Sequence, residues 1–285
     1  MTRENNGKTD TEPPQGKPYD ASPVLAGFGG EVNDTVHKTV DAARIAMKLP
    51  VLSRILRIIE EAYPEQKENL RAFFGEIVEI LIESRIPQSL GHAEKTADMV
   101  IKLDSESINK PALLIAALVH DLDRCKKEWR NKRKQYPNER AHKEAHAQNG
   151  ATIVRDLMSK YSIDAELSEN VATIIEHHEL GVDEDSKTLM LADAIAFFQH
   201  NLPYYYEQEL HGRRGKEHGR TREKIRLTIE KFNAEEYAAQ KKILLREINS
   251  LTYNRETFPE HKLSDEEWKE LDEIFKGEIL RTKTP

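Results

Sequence analysis

Pro111-Ala112-Leu113-Leu114-Ile115-Ala116-Ala117-Leu118-Val119-His120-Asp121 reads as a helix with no polar face that ends in an imidazole and a carboxylate. A helix that is apolar all round belongs in an interior. At nine residues the run Pro111 to Val119 is far too short to cross a hydrocarbon layer of about 30 Å, so that interior is a protein core. Burying His120 and Asp121 at its end is costly unless both find strong partners. A metal ion is the most effective partner for a carboxylate beside a neutral imidazole.

Helical spacing continues outward on both sides. Upstream, apolar residues recur at Val36, Val40, Ala43 and Met47 until Pro50 breaks the run. Val51 to Ala62 follows, and then a longer helix from about Pro64 to Ser84 whose stripe is Leu70, Phe73, Phe74, Ile77, Ile80 and Leu81. The centre divides into helical segments at roughly 91–104, 109–122, 139–161, 164–179 and 186–201, with a long basic connection over 123–138 that contains Pro137. Downstream lie a tyrosine run (Tyr204, Tyr205, Tyr206), a helix near 234–251, and a last helix announced by Ser264 and Glu267 in capping-box spacing. No stretch alternates as a strand between tight turns. The expected fold is all-α: a disordered tail over 1–22, a helical extension over 23–87 with Gly27-Phe28-Gly29-Gly30 as a hinge, a core over 88–202, and a helical extension over 203–285.

Composition narrows the function classes. Of 285 residues 33% are charged and 38% hydrophobic, which suits amphipathic helices with solvated outer faces. The first residues, Thr2-Arg3-Glu4-Asn5, precede no apolar signal core, and the one cysteine, Cys125, leaves no internal disulfide, so a cytoplasmic protein with no membrane partner is expected. A net charge of −7 disfavours nucleic acid as a partner. Two basic clusters stand against that sum: Lys126, Lys127, Arg130, Lys132, Arg133 and Lys134, then Arg213, Arg214, Lys216, Arg220, Arg222, Lys224 and Arg226. They are either solvated faces or patches that attract an anionic substrate.

The remaining histidines fall where solvation explains them poorly. His92 opens a helix carrying Ala93, Ala97, Val100 and Ile101, and His177 and His178 end the apolar run Val171 to Ile175. His146 shares a helix face with His142, four residues earlier. Asp193 sits between Leu189-Met190-Leu191-Ala192 and Ala194-Ile195-Ala196, where a carboxylate without a cation is destabilising. Taken singly, each has a plainer reading as a helix cap, a surface residue or an ion-pair partner. Taken together, they point to a divalent metal.

In that order, His92 … His120-Asp121 … Asp193 resembles the HD superfamily of metal-dependent phosphohydrolases over roughly residues 88–200. His146 followed by Gly150-Ala151 is similar to the additional metal-binding helix of its two-metal members, where small residues let helices approach, and Ile175 to Glu179 resembles their histidine segment. The resemblance implies one ion held by His92, His120, Asp121 and Asp193, and a second held by His146, His177 and His178, with Asp121 bridging. One or two ions of manganese, iron, magnesium, cobalt or nickel would serve. Paired ions would clamp the attacking and leaving oxygens and acidify a water. Arg124 matches the position of a phosphate-contacting Lys or Arg, and Lys95, a turn beyond His92, is the second candidate for that task. Asp121 is thus expected to be catalytic as well as ligating. Glu176 and Glu179 could orient ligands.

The expected activity is hydrolysis of a phosphate ester or anhydride in a small phosphorylated substrate, a nucleotide first, with Tyr204 to Tyr206 able to stack on a base. A homo-oligomer is compatible with the N-terminal helices. The segment Leu180-Gly181-Val182-Asp183 lacks the Gly-Tyr-Pro element of the cyclic-dinucleotide phosphodiesterases of the superfamily. One other activity fits the same ligands, a di-iron oxygenase of the HD fold; a non-catalytic helical module that binds nucleotide is the further alternative, and it predicts a degraded ligand set, whereas every expected ligand position is filled here.

Overall fold

Proline opens the first element that the structure, a computed structural model, describes. Pro50–Ala62 (α1) begins on Pro50, whose missing N–H costs nothing at a helix start. Described are residues 50–84, 89–103, 110–129, 135–211, 219–259 and 261–283. The tail, the glycine hinge, the helix expected over Val36 to Met47, and the basic residues Arg130, Lys132 to Lys134, Arg213, Arg214 and Lys216 lie outside them.

The fold is all-α, and no strand occurs among the described residues. After α1 come a 3-10 turn, Pro64–Gln66, and α2, Lys67–Glu83, which buries the expected stripe from Leu70 to Leu81. The core helices are α3 (Ser89–Leu103), α4 (Lys110–Val119), α5 (Glu139–Lys160), α6 (Ala165–His177) and α7 (Glu184–Ala196). Every residue of α4 from Ala112 to Val119 is buried, and α4 packs against α3, α6, α7 and α1. Each such Leu, Ile or Val removed from water contributes about 1.5–3 kcal/mol. The closest partners elsewhere are α5 with α6 and α3 with α7.

Behind α7 the chain stays helical for longer than its pattern suggests. A π-helical turn, Phe197–Asn201, leads into α8, Leu202–Leu210, which carries the tyrosine run. Leu202 N–H reaches back to the Phe197 carbonyl. Its successor Pro203 has no N–H to offer Phe198, and the Tyr253 hydroxyl donates to that carbonyl instead, at 2.7 Å. The second basic cluster continues as a helix, α9 (Arg220–Glu230), which the sequence reading treated only as charge; Thr221, Ile225, Thr228 and Ile229 form its buried stripe. Then follow α10 (Ala238–Asn249) and α11 (Asp265–Lys283), the latter entered through the expected capping box: Ser264 N–H donates to Glu267 Oε2 at 2.8 Å and Glu267 N–H to Ser264 Oγ at 3.3 Å. No described helix is long and apolar enough to cross a membrane.

Candidate metal centre

Five core helices, α3 to α7, bring their polar residues to one buried place. The chain leaves α4 after Val119, and His120 keeps the helical bond to Ala116 before the backbone tightens into a 3-10 turn, Leu122–Arg124. Asp121 and Asp123 thereby turn inward beside α5. Gly150 makes that approach feasible: a Cβ there would lie 3.2 Å from the His120 carbonyl oxygen. The glycine explains why His146, one turn before it, reaches the centre. His142 is only half-buried and lies against the Tyr136 ring.

Two donor groups result. In the first, Asp193 Oδ1 lies 3.0 Å from His92 Nε2 and 3.6 Å from His120 Nε2. The second comprises His146, His178 and Glu179, and in each group the donor atoms lie within 4.8 Å of one another. Asp121 stands between them, its Oδ1 3.8 Å from His120 Nε2 and 3.1 Å from His146 Nε2. The imidazoles form a chain of ring contacts, His92 to His120 to His178 to His146.

Three of these rings are fixed at their outer nitrogens. His120 Nδ1–H donates to the Ala117 carbonyl at 3.0 Å and His178 Nδ1–H to the Ile175 carbonyl at 2.6 Å. His146 Nδ1–H donates to Asp123 Oδ2 at 2.7 Å. At His120 and His178 such anchors set the tautomer that leaves Nε2 facing inward, as in metal-ligating histidines, whereas both nitrogens of His146 meet carboxylates. His120 Nε2 is buried with no hydrogen-bond partner among the described residues, a costly state for a polar atom unless something else occupies its lone pair. A cation between His92, His120 and Asp193 suits that donor set.

The ionisation states agree with a cation-seeking site. Burial works to raise Asp193, yet the His120 and His92 imidazoles against its carboxyl hold it well below the usual range. Burial likewise opposes ionisation of Asp121, and Arg124, His120 and His146 keep it ionised. Arg124 Nη1 donates to Asp121 Oδ2 at 2.9 Å, so the sequence-predicted phosphate contact lies at the centre's edge.

Several expected residues lie elsewhere. His177 does not join the second group; its Nδ1 bonds Asp183 Oδ2 at 2.7 Å, at the start of α7. Adjacent residues on a helix diverge by about 100°, so only one of His177 and His178 can face inward, and it is His178. Lys95 is exposed, because the inward face of α3 continues from His92 to Thr96, which is buried and bonds back to the His92 carbonyl. Glu176 pairs with Arg155, which also holds Glu169. Tyr206 is core, while Tyr205 is half-buried against Phe197.

Sequence reasoning missed Asp123, Lys143, Lys231 and His200. Glu179 Oε2 accepts from Lys231 at 2.8 Å and lies 3.4 Å from Lys143 Nζ. His200, on the π turn, packs where a Cβ on Gly91 would stand, 2.5 Å from its ring, and burial lowers its pKa to about 4. Gly91, beside the first ligand candidate, was the available signal for that contact.

A family model described as "Domain of unknown function (DUF4202)" matches residues 78–250, more than half of the chain, and takes in both donor groups, Arg124 and Lys231. No curated protein and no solved structure matches the chain.

Proposed function

Since the chain belongs to the family described as Domain of unknown function (DUF4202), whose description states no activity, we propose from the donor geometry that it is a metal-dependent phosphohydrolase of the HD type acting on a nucleotide or similar small phosphate ester. The observation that carries this reading is the unpartnered, buried Nε2 of His120 facing the Asp193 oxygen that His92 also meets. The order of His92, His120-Asp121 and Asp193 along the chain supports the superfamily, and their convergence from α3, α4 and α7 supports a shared ion.

His92, His120 and Asp193 would hold the ion, with Asp121 beside them. When bound, a divalent ion supplies an acidified water and positive charge against the phosphate. The chain's own residues do the rest. His146, fixed by Asp123, bonds Asp121 and with Arg124 sets the direction of that carboxylate. Arg124 presents guanidinium N–H groups to phosphate oxygens as charge shifts toward the leaving group. Tyr205 lies within electrostatic reach of Arg124 and offers a half-buried ring for a base. In the net reaction water oxygen bonds to phosphorus, the P–O bond to the leaving group breaks, and the leaving oxygen takes a proton.

The test is metal analysis of the purified protein combined with phosphate release across a panel of nucleotides and simple phosphate esters. Bound divalent metal and metal-dependent release, both lost in His120→Ala, are expected. Absence of metal under every loading condition overturns the reading. Bound iron with oxygen uptake and no phosphate release transfers the site to the oxygenases.

A further inference from the structure

The two donor groups differ in what already surrounds them. In the first, the carboxylate Oδ1 meets two imidazoles, and one of their nitrogens has no hydrogen-bond partner among the described residues. In the second, the carboxylate is already answered. Lys231 Nζ and Lys143 Nζ both approach the same Glu179 oxygen, at 2.8 and 3.4 Å, and the three side chains are 15%, 26% and 5% exposed. Two half-buried lysine ammonium groups on one carboxylate stand in for a cation.

Their placement follows from separate parts of the chain. Lys143 precedes His146 by three residues on α5, so both point to one side of that helix. Lys231 caps the C-terminal end of α9, outside the core expected from the sequence, and its charge acts on Asp193 as well as on Glu179. An ammonium group thus interacts with the carboxylates of both donor groups. His146 is also engaged on both sides: Nδ1 bonds Asp123 at 2.7 Å and Nε2 bonds Asp121 at 3.1 Å. A second divalent ion at Glu179 would have to break two ion pairs, leaving two half-buried ammonium groups uncompensated beside it.

We propose that this chain holds one resident divalent ion, at His92, His120 and Asp193, and that the Lys143–Glu179–Lys231 cluster fills the position a second ion takes in the two-metal members of the superfamily it resembles. This rests on the metal reading above and corrects the second ion that the resemblance implies.

The full-length protein, equilibrated with excess manganese and desalted, decides the matter by metal-to-protein ratio and by electron paramagnetic resonance. One equivalent and the spectrum of an isolated ion are expected. Lys143→Met/Lys231→Met, folded by circular dichroism, should rise to two equivalents. Two equivalents in the wild-type chain, or the multiline spectrum of an exchange-coupled pair, overturns the proposal without any variant. So does a folded double variant that stays at one equivalent. No bound metal in the wild type, with manganese or with iron, magnesium, cobalt or nickel in its place, removes the underlying metal reading as well, which separates the two failures.

Discussion

Asp123 acts on the centre through His146, and its carboxylate is 2% exposed with one oxygen on the imidazole. Asp123→Asn leaves the shape but puts an amide where an acceptor fixed the ring. Phosphate release should fall on the order of 10- to 100-fold, as for other partners of site histidines, with helical content by circular dichroism unchanged. His177→Ala is the contrasting substitution. Because His177 faces Asp183 and not the donor groups, bound metal per chain should stay at the wild-type value. The sequence singled out Asp193 because apolar neighbours on both sides leave a carboxylate no solvated face. Asp123 had no such signal: Leu122 and Cys125 beside it are buried in a tight turn with no period to read. Choosing between His177 and His178 needed the helix end itself, since both follow the same apolar stripe.

Asp183 caps α7, accepting from the Ser186 N–H at 2.8 Å, while Ser186 Oγ answers the Asp183 N–H. Burial opposes its ionisation, but the Ser186 amide and His177 hold its pKa below the ordinary aspartate value. A depressed folded-state pKa means the contribution is complete above the ordinary value and is lost as pH falls through the depressed one. Asp183→Ala should cost about 1 kcal/mol at neutral pH, and thermal unfolding should show the difference from wild type shrinking at acid pH. Between α5 and α4 the decisive element is a missing side chain. Gly150→Val places a Cβ 3.2 Å from the His120 carbonyl and must push the two helices apart. Manganese affinity should drop by more than tenfold, read by titration, even in variants whose melting temperature barely moves. Helix positions were legible from apolar period and capping residues: α3, α5 and α6 start within about two residues of where their patterns place them. α9 was not, because Arg, Lys and Glu dominate it and only four positions touch the core.

Across the molecule, α4 is the piece against which α3, α6 and α7 register, so its packing sets the spacing of the donors at its end. Leu114→Ala at a fully buried position should cost about 2–5 kcal/mol, measured by denaturant unfolding, and lower metal affinity in the same variant. The all-α architecture was readable from that one helix and the patterns around it. The share of the far half of the chain in the centre was not, since Lys231 arrives from beyond the expected core and only the assembled fold brings it to Glu179. That far half also secures the π turn after α7, where Pro203 withholds an N–H and the phenol of Tyr253 serves the Phe198 carbonyl. The two positions are therefore linked physically through one carbonyl. A lineage that exchanges Pro203 for a residue able to donate relieves the selective pressure on Tyr253, and loss of the phenol while proline persists strands a carbonyl. Aligned sequences of the family should show substitutions at 203 and 253 arising together.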